Sequence, residues 1–264
     1  MPLWPPSVGR RMGRNAIRSQ AAVLGGGGLA VPQSAAGYVA LGLPSPEYIW
    51  DCQVADVPLT ELVTGTDHMA DQAANSDGIT YSTDLGLAGV SEVGITRTTE
   101  NTSRALIAST TALDVGTTDR VAFGIMMQWP THPPSNKRVL DKRPGNGYYT
   151  YINASGYPGI FGRPASGGDV NINVSTEHPV DTWHYILTIL DRDAGEEKVK
   201  IWTQLATNEQ SIAGDGSYTA ARGFGFAATG LTNMVVGAVA AWEGASVGSL
   251  TTADPAAFLA GVGL

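Results

Sequence analysis

Apolar residues recur at every second position through much of this chain, and that period is typical of β-strands. The clearest example is the set Val121, Phe123, Ile125, Met127 and Trp129, which predicts a strand with one face in a core. Segments of this kind are short, and turn-forming residues separate them from Tyr48 onward. The succession predicts an all-β domain in which two antiparallel sheets pack as a jelly-roll sandwich.

The segment 183–191 is apolar on both of its alternating faces. One face carries Trp183, Tyr185, Leu187 and Ile189, and the other carries His184, Ile186, Thr188 and Leu190. Neither set is a solvent face, so we place this strand in the middle of a sheet and interpret Trp183 and His184 as packing residues. We expect the face of Ile186 and Leu190 to be covered by loops of the other sheet, by the N-terminal segment or by a partner.

Four further patterns predict elements after residue 140. A hairpin should join residues 148–153 to 159–162, and Val170–Val174 should be half exposed with Asn171 and Asn173 outward. Val199, Ile201 and Thr203 should face a core. A last strand should cover 234–242, where Gly237 permits a close approach or a bulge. A short C-terminal helix should start with Asp254 as cap and Pro255 in its first turn, continue through residues 256–260 and end at Gly261.

Charge divides the chain into two parts. Four arginines, Arg10, Arg11, Arg14 and Arg18, are the only charged residues before Glu47. Of the 16 basic residues, 12 therefore lie in the remainder, together with all 24 acidic residues. Residues 1–46 also contain Trp4 and a four-glycine run and show little periodicity. We interpret them as an extended basic arm, with a disordered tail as the alternative. Residues 47–264 are predicted to form the jelly-roll domain.

Composition excludes several classes of protein. The single cysteine, Cys52, allows no intrachain disulfide, and no apolar run is long enough to span a membrane. Glycines interrupt the apolar stretch 21–31, so the sequence does not predict a secretory signal. Lys137, Arg138, Lys142 and Arg143 are predicted to form a basic loop around Asp141. It lacks interleaved aromatic residues and belongs to an acidic domain, so we expect no nucleic-acid partner.

The order of these segments resembles the laminin G-like, concanavalin A-like jelly roll over residues 48–260. The resemblance rests on the turn-rich segment 56–65, the approach to the first core strand at 113–124 and Gly147-Tyr-Tyr149. It continues with Thr182-Trp-His184, Val199-Lys-Ile-Trp202 and the closing strand at 236–238, which leads to a short helical end. It implies a fold that hosts lectins, glycosidases, adhesion modules and virion proteins, and therefore no single function.

Neither hydrolase pattern that we considered is complete in this sequence. No glutamate begins the Glu-x-Asp-x-x-Glu pattern of glycosidases with this fold, and Glu196 and Glu197 are expected to be solvated turn charges. Gly244-Ala-Ser-Val-Gly248 spells a nucleophile elbow, but no histidine follows His184 to complete a triad. We predict a glycine-rich loop there and no enzymatic activity.

The sequence treats two kinds of metal site differently. The histidines at 68, 132, 178 and 184 lack paired ligand spacing, which argues against zinc. A structural calcium ion stays open, with oxygen donors at Asp191 and Asp193, at Asp114 and Asp119, or between Asp67 and Asp77. For each group we favour solvated turn charges, and no cofactor is expected.

Three aromatic residues lie opposite the inward sets of their strands: Tyr149, Tyr151 and Trp202. They form a candidate carbohydrate-binding surface, or else they pack beneath loops or the arm.

Two functions fit these observations. The first is a non-enzymatic structural component of a large assembly, a phage or virus particle, located on the capsid or tail. In that case the protein is a homo-oligomer held to other virion proteins by Trp4 and the four arginines of the arm. The alternative is an extracellular or cell-surface carbohydrate-binding module or adhesin that uses Tyr149, Tyr151 and Trp202.

Overall fold

The structure, a computed structural model, is described here for residues 30, 32–52, 61–65, 79–82, 94–97, 104–105, 113–116, 118–142, 146–193, 197–212, 216–219, 224–226, 234–253 and 255–264. The strands in these ranges are β1 (Tyr48–Asp51), β2 (Ile79–Ser82), β3 (Gly94–Arg97), β4 (Arg104–Ala105), β5 (Arg120–Gln128), β6 (Lys137–Lys142), β7 (Gly147–Ile152), β8 (Pro158–Arg163), β9 (Val170–Asn173), β10 (His184–Asp191), β11 (Lys198–Thr203), β12 (Thr207–Ser211), β13 (Gly225–Phe226) and β14 (Val235–Glu243). The helices are α1 (Ala35–Ala40), α2 (Ala245–Thr252) and α3 (Ala256–Val262). None of these helices is long and apolar enough to cross a membrane.

The strands pair antiparallel and form two sheets. The large sheet has the order β12-β11-β10-β5-β14-β3-β2, and β1 also pairs with β14. The small sheet has the order β4-β13-β6-β7-β8-β9. This arrangement confirms the predicted two-sheet antiparallel jelly-roll sandwich.

An inter-sheet core fills the space between the two sheets. The large sheet contributes the predicted inward set of β5, together with Val199 and Ile201 of β11. The small sheet contributes alternate residues such as Tyr148, Ile152 and Ile160. Phe123 of β5 stacks on Tyr148 of β7 with ring centroids 5.3 Å apart, which ties the two sheets together.

Strand β10 lies inside the large sheet, as predicted, between β11 and β5, and all eight of its residues are buried. The prediction of what covers the face of Ile186 and Leu190 was wrong. Ile186 and Leu190 point into the inter-sheet core, so the small sheet itself covers them. The face that needs another cover is the one with Tyr185, Leu187 and Ile189.

That cover is an outer core formed by segments from both ends of the described chain. Tyr38 of α1 stacks on Phe258 of α3 at 5.3 Å, and Phe258 also contacts the ring of Tyr185 at 4.9 Å. Ala30 donates a backbone hydrogen bond to Val262. Further members of the outer core are Leu43, Ile49, Trp242, Val247, Leu250 and Leu259. The sandwich therefore carries a third, helical layer on its large sheet.

The N-terminal segment departs from the predicted extended arm where it is described. Residues 35–40 form helix α1, in which the Ser34 hydroxyl accepts a hydrogen bond from the Gly37 amide. The helix forms because Tyr38, only 1% exposed, gains burial against the large sheet. Residues 1–29 and 31, including all four arm arginines, lie outside the described residues.

Two predicted loops are regular elements. Residues 137–142 of the expected basic loop form strand β6, in which Lys142 is buried and pairs with Asp114 at 2.9 Å; Arg143 lies outside the described residues. The expected glycine-rich loop after β14 is helix α2. Its glycine and serine residues are poor helix formers, and burial of Val247 and Leu250 stabilises it instead.

Most of the remaining elements match their predictions. The β7–β8 hairpin, the outward Asn171 of β9 and the inward residues of β11 are as expected. The register of β14 shifts between Val236 and Ala238, which places a bulge at Gly237. Helix α3 runs two residues past the predicted end, because Gly263 with φ of 89° closes it. The predicted start of α3 was wrong by one residue: Pro255, expected inside the helix, is its N-cap. Asp254, the predicted cap, lies outside the described residues.

Candidate functional site

The outer face of the small sheet differs from that of the large sheet. The described helices pack on the large sheet. On the outer face of the small sheet, Tyr149 and Phe161 are half exposed, whereas Tyr151 is buried, with 4% of its surface exposed. Alternation along β7 sends Tyr148, Thr150 and Ile152 inward and leaves Tyr149 and Tyr151 on the outer face. The outer face of the small sheet therefore carries aromatic side chains as well as polar ones.

Tyr149 lies at the centre of this surface. Its ring stacks on Phe161, its direct cross-strand partner in β8, with centroids 4.9 Å apart and planes 23° apart. The Arg138 guanidinium of β6 lies 5.2 Å from the Tyr149 ring centroid. Because β6 and β8 flank β7, these two partners approach Tyr149 from the neighbouring strands on either side.

Tyr151, the neighbour of Tyr149 on the same face of β7, is held in place by contacts with β8 and β9. Its ring lies over Gly159, where a Cβ atom would come within 2.3 Å of the Tyr151 Cζ. Its hydroxyl donates to the Asn171 Oδ1 at 2.8 Å on β9. Burial, with a smaller contribution from Tyr149, raises the pKa of the Tyr151 phenol to about 12, so it is protonated at neutral pH. Tyr151 and Asn171 are thereby oriented relative to each other.

A second cation adjoins the rings at the end of β8. The Arg163 guanidinium lies 5.5 Å from the Phe161 centroid and pairs with Asp169 at 2.6 Å. Hydrogen bonds from Arg163 lower the pKa of Asp169. Both side chains are exposed, so this ion pair is screened by solvent and stabilises the sheet little. We define the outer-sheet surface as Arg138, Tyr149, Tyr151, Phe161, Arg163 and Asn171.

The three aromatic candidates from the sequence do not form one site. Tyr149 and Tyr151 are neighbours, with ring centroids 5.9 Å apart. Trp202 lies on the other sheet, where it packs against the outer core and contacts Tyr185 edge-on at 6.1 Å. Sequence reasoning missed Phe161, although the register of the predicted hairpin pairs it with Tyr149. It also missed the approach of Arg138, because it assigned that residue to a loop. The partner-binding candidates Trp4, Arg10, Arg11, Arg14 and Arg18 lie outside the described residues.

The candidate calcium donors that are described have protein partners. Arg120 bridges Asp191 at 2.7 Å and Asp193 at 2.5 Å, and Asp114 pairs with Lys142. Asp119 accepts a hydrogen bond from the Gly116 amide. The described part of the chain contains no cluster of three or more histidine, cysteine or carboxylate side chains arranged to hold a metal ion. Residues 67–77 lie outside it.

Three histidines anchor the connection between β9 and β10. His184 is 1% exposed; its Nε2 lies 2.7 Å from the Pro179 carbonyl and its Nδ1 lies 2.8 Å from the Gln204 amide nitrogen. Its ring contacts Trp129 at 4.7 Å and His178 at 4.9 Å. Burial lowers the pKa of His184 to about 4 and also lowers that of His178. His132 contacts the His178 carbonyl at 3.1 Å. The ring of His184 is therefore a neutral packing group.

Ser246 of the elbow-like sequence has structural partners. It follows β14 in the first turn of α2, which is the strand–turn–helix context that the motif requires. Its hydroxyl lies 2.9 Å from the Glu47 carboxylate and 2.8 Å from the Glu243 carbonyl. These contacts join the helix to the segment that precedes β1.

Comparison with known proteins relates the chain to others by fold. No protein family model and no curated protein sequence matches it. The binding domain of Paraclostridial Mosquitocidal Protein 1 matches with a TM-score of 0.50 and 8% identity, over 75% of this chain and 48% of its own. The botulinum neurotoxin serotype D binding domain matches with a TM-score of 0.50 and 8% identity, over 79% and 50%. This chain thus spans about half the length of both structures.

A weaker match is the CBM40 of the Ruminococcus gnavus IT-sialidase, whose structure contains α2,3-sialyllactose. It has a TM-score of 0.34 and 11% identity, over 47% of this chain and 76% of its own. The two stronger matches show a shared β-sandwich fold. They support the β-sandwich part of the resemblance predicted from the sequence and do not support its laminin G part.

Proposed function

We propose that this protein is a non-enzymatic binding module that recognises glycans through the outer-sheet surface. The observation that carries the proposal is the row of Arg138, Tyr149 and Phe161 on a sheet face that the described helices leave open. Sugars offer apolar C–H patches beside hydroxyl groups, and they are bound by aromatic side chains with a few fixed polar groups. The outer-sheet surface combines these groups.

The polar groups on this surface supply both donors and acceptors. Arg138 presents N–H donors, and the exposed Asn171 amide has donor capacity beyond its bond from Tyr151. Tyr149 is half exposed as a residue, and a phenol hydroxyl can both donate and accept. Vicinal sugar hydroxyls need such mixed pairs, because each hydroxyl both donates and accepts. The rings of Tyr149 and Phe161 hold each other in place, so little side-chain entropy is lost on binding.

The structures similar in fold are binding domains by name, which agrees with a binding role. Under this proposal the module acts outside the cell or at a surface where glycans occur. The first function predicted from the sequence, assembly into a particle through the arm, depends on residues 4–18, so it can be tested separately from glycan binding.

A glycan array probed with the purified chain tests the proposal. We expect one or more glycans to bind, and Tyr149→Ala and Phe161→Ala each to weaken that binding by about tenfold, the effect of a central contact residue. Trp202→Ala is the matched control, since it removes a half-buried ring from the opposite sheet. Thermal unfolding of each variant confirms that it is folded. A broad array without binding, or equal losses from Trp202→Ala and Tyr149→Ala, would overturn the proposal.

A further inference from the structure

We infer that the glycan bound by the outer-sheet surface is acidic, and that its carboxylate or sulfate group pairs with Arg138. This inference rests on the glycan proposal and specifies its ligand class. Arg138 differs from other described arginine and lysine side chains in the partners that its charge has.

Arg138 is a half-exposed cation whose charge no described carboxylate neutralises. Other cations have such partners: Arg120 pairs with Asp191 at 2.7 Å, and Lys142 pairs with Asp114 at 2.9 Å. The contact that orients Arg138 is the ring of Tyr149, 5.2 Å from the guanidinium carbon. A guanidinium stacked on a ring keeps its N–H groups in the guanidinium plane, where they can meet an anion.

A second guanidinium is available on the same face. Arg163 contacts the Phe161 ring and pairs with Asp169, and the two side chains of that pair are 55% and 41% exposed. Exposed ion pairs contribute little free energy, so a ligand anion can replace Asp169 at small cost. In the order of the strands, Tyr149 on β7 lies between Arg138 on β6 and Arg163, which is on β8 with Phe161. A ligand across the rings would therefore reach either cation.

Two carboxylates oppose this positive charge. Asp169 is engaged by Arg163, and Asp141, the cross-strand partner of Tyr149, is only 6% exposed. Among these described charged residues on this face, Arg138 is thus the accessible one without a described carboxylate partner. This local charge contrasts with the net charge of −8 of the chain, which repels anions in general. An acidic ligand must gain its affinity from a specific contact of this kind.

The planar guanidinium matches the two oxygens of a carboxylate or sulfate group. Such bidentate, charge-assisted hydrogen bonds are about twice as strong as neutral ones. Lysine at the same position would retain the charge but lose the planar arrangement of donors. The ligand class is therefore a sugar that carries an acidic substituent, such as a sialic acid, a uronic acid or a sulfated sugar.

Titration calorimetry with matched sugars tests the inference. The probes are lactose, α2,3-sialyllactose and 3-sulfated lactose, followed by a uronic-acid oligosaccharide. We expect at least one acidic probe to bind about tenfold more tightly than its neutral counterpart, and added salt to reduce that difference. Arg138→Gln should weaken binding of the acidic probe about tenfold more than binding of its neutral counterpart, so that the difference between them disappears. Arg138→Lys should retain part of the difference. Lys200→Gln, a half-exposed cation on the large sheet, is the control and should have no effect.

The possible results separate this inference from the function on which it rests. Equal binding of neutral and acidic glycans, or full acidic selectivity in Arg138→Gln, overturns the acidic-ligand inference and leaves glycan binding standing. Failure of every glycan to bind overturns both. Among acidic probes, a preference for carboxylate or for sulfate identifies which anion the guanidinium receives.

Discussion

At the scale of single residues, buried polar side chains determine much of the local geometry. Glu61 is fully buried, and its carboxylate accepts hydrogen bonds from the amides of Ile49, Val63 and Thr64 and from the Thr64 hydroxyl. It thereby joins strand β1 to the turn at 61–65. Lys142 and Asp191 are also buried, and each has a partner of opposite charge. A buried charge is stable only with such partners.

His184 makes the stability of the fold depend on pH. Its pKa is about 4 in the folded state and about 6.5 in an unfolded chain, so the unfolded state binds more protons at intermediate pH. The contribution of neutral His184 to the free energy of unfolding should therefore be complete above pH 6.5. It should be lost progressively as the pH is lowered towards 4. The loss from this residue should reach about 3 kcal/mol. Urea denaturation at pH 7.5, 6, 5 and 4 measures it.

The variant His184→Gln provides the comparison, because glutamine can donate to the Pro179 carbonyl but does not titrate. It should lose less stability than the parent chain over the same range. His132→Gln is the control, since His132 is partly exposed and faces Glu177 at 3.6 Å. Parallel pH profiles for the parent chain and His184→Gln would contradict this account.

Residue-level prediction from the sequence succeeded where alternation alone decides the outcome. The face of Tyr149 and Tyr151 was predictable, because side chains along a strand point to opposite sides. Alternation does not say which sheet a strand joins, and Trp202 was therefore grouped with residues on the opposite side of the molecule. Arg138 was missed for another reason: a run of charged residues is typical of a loop, and only the pairing of β6 with β7 places it over Tyr149.

At the scale of elements, burial explains which segments are helical. Strands β5 and β10 were predictable from their apolar alternation, and β14 from its apolar run. Helices α1 and α2 were not, because alanine, glycine, serine and threonine dominate them and their amphipathic pattern is weak. They are stabilised by the apolar outer face of the large sheet, which includes the small residues Ala122, Ala238 and Ala240. These small side chains leave room for Tyr38 and Phe258.

Phe258 of α3 should be the residue on which this helical layer depends most. Phe258→Ala removes its contacts with Tyr38 and Tyr185 and should lower the free energy of unfolding by about 3–5 kcal/mol, as for large cavities in cores. Denaturant unfolding measures the loss. Ala260→Ser, at an exposed position of the same helix, should change stability by less than about 0.5 kcal/mol. Equal effects of the two variants would show that α3 is not an integral layer of the fold.

At the scale of the whole molecule, the two functions predicted from the sequence use different parts of the chain. The glycan proposal uses residues 138–171, and the assembly hypothesis uses the arginines and Trp4 of the arm. Removal of residues 1–29 separates the two, because it retains Ala30 and its hydrogen bond to Val262. The truncated chain should bind glycans with unchanged affinity.

The assembly hypothesis expects the same truncated chain to be excluded from the particle that contains the full protein. Co-purification of the full and truncated chains with that particle would compare them. Normal incorporation of the truncated chain would contradict the hypothesis. Loss of glycan affinity in it would instead show that the N-terminal residues contribute to the ligand surface.

The contact between α1 and α3 also determines the orientation of the small sheet when the molecule is attached through its C-terminal residue. The hydrogen bond from Ala30 to Val262 brings the two ends of the described chain together in the helical layer, on the opposite side of the sandwich from Tyr149 and Phe161. A tag, a support or a tether joined at Leu264 would therefore leave the small sheet directed away from the attachment point. Several copies tethered in this way would present their small sheets in parallel, so that weak single-site affinities would combine into avidity.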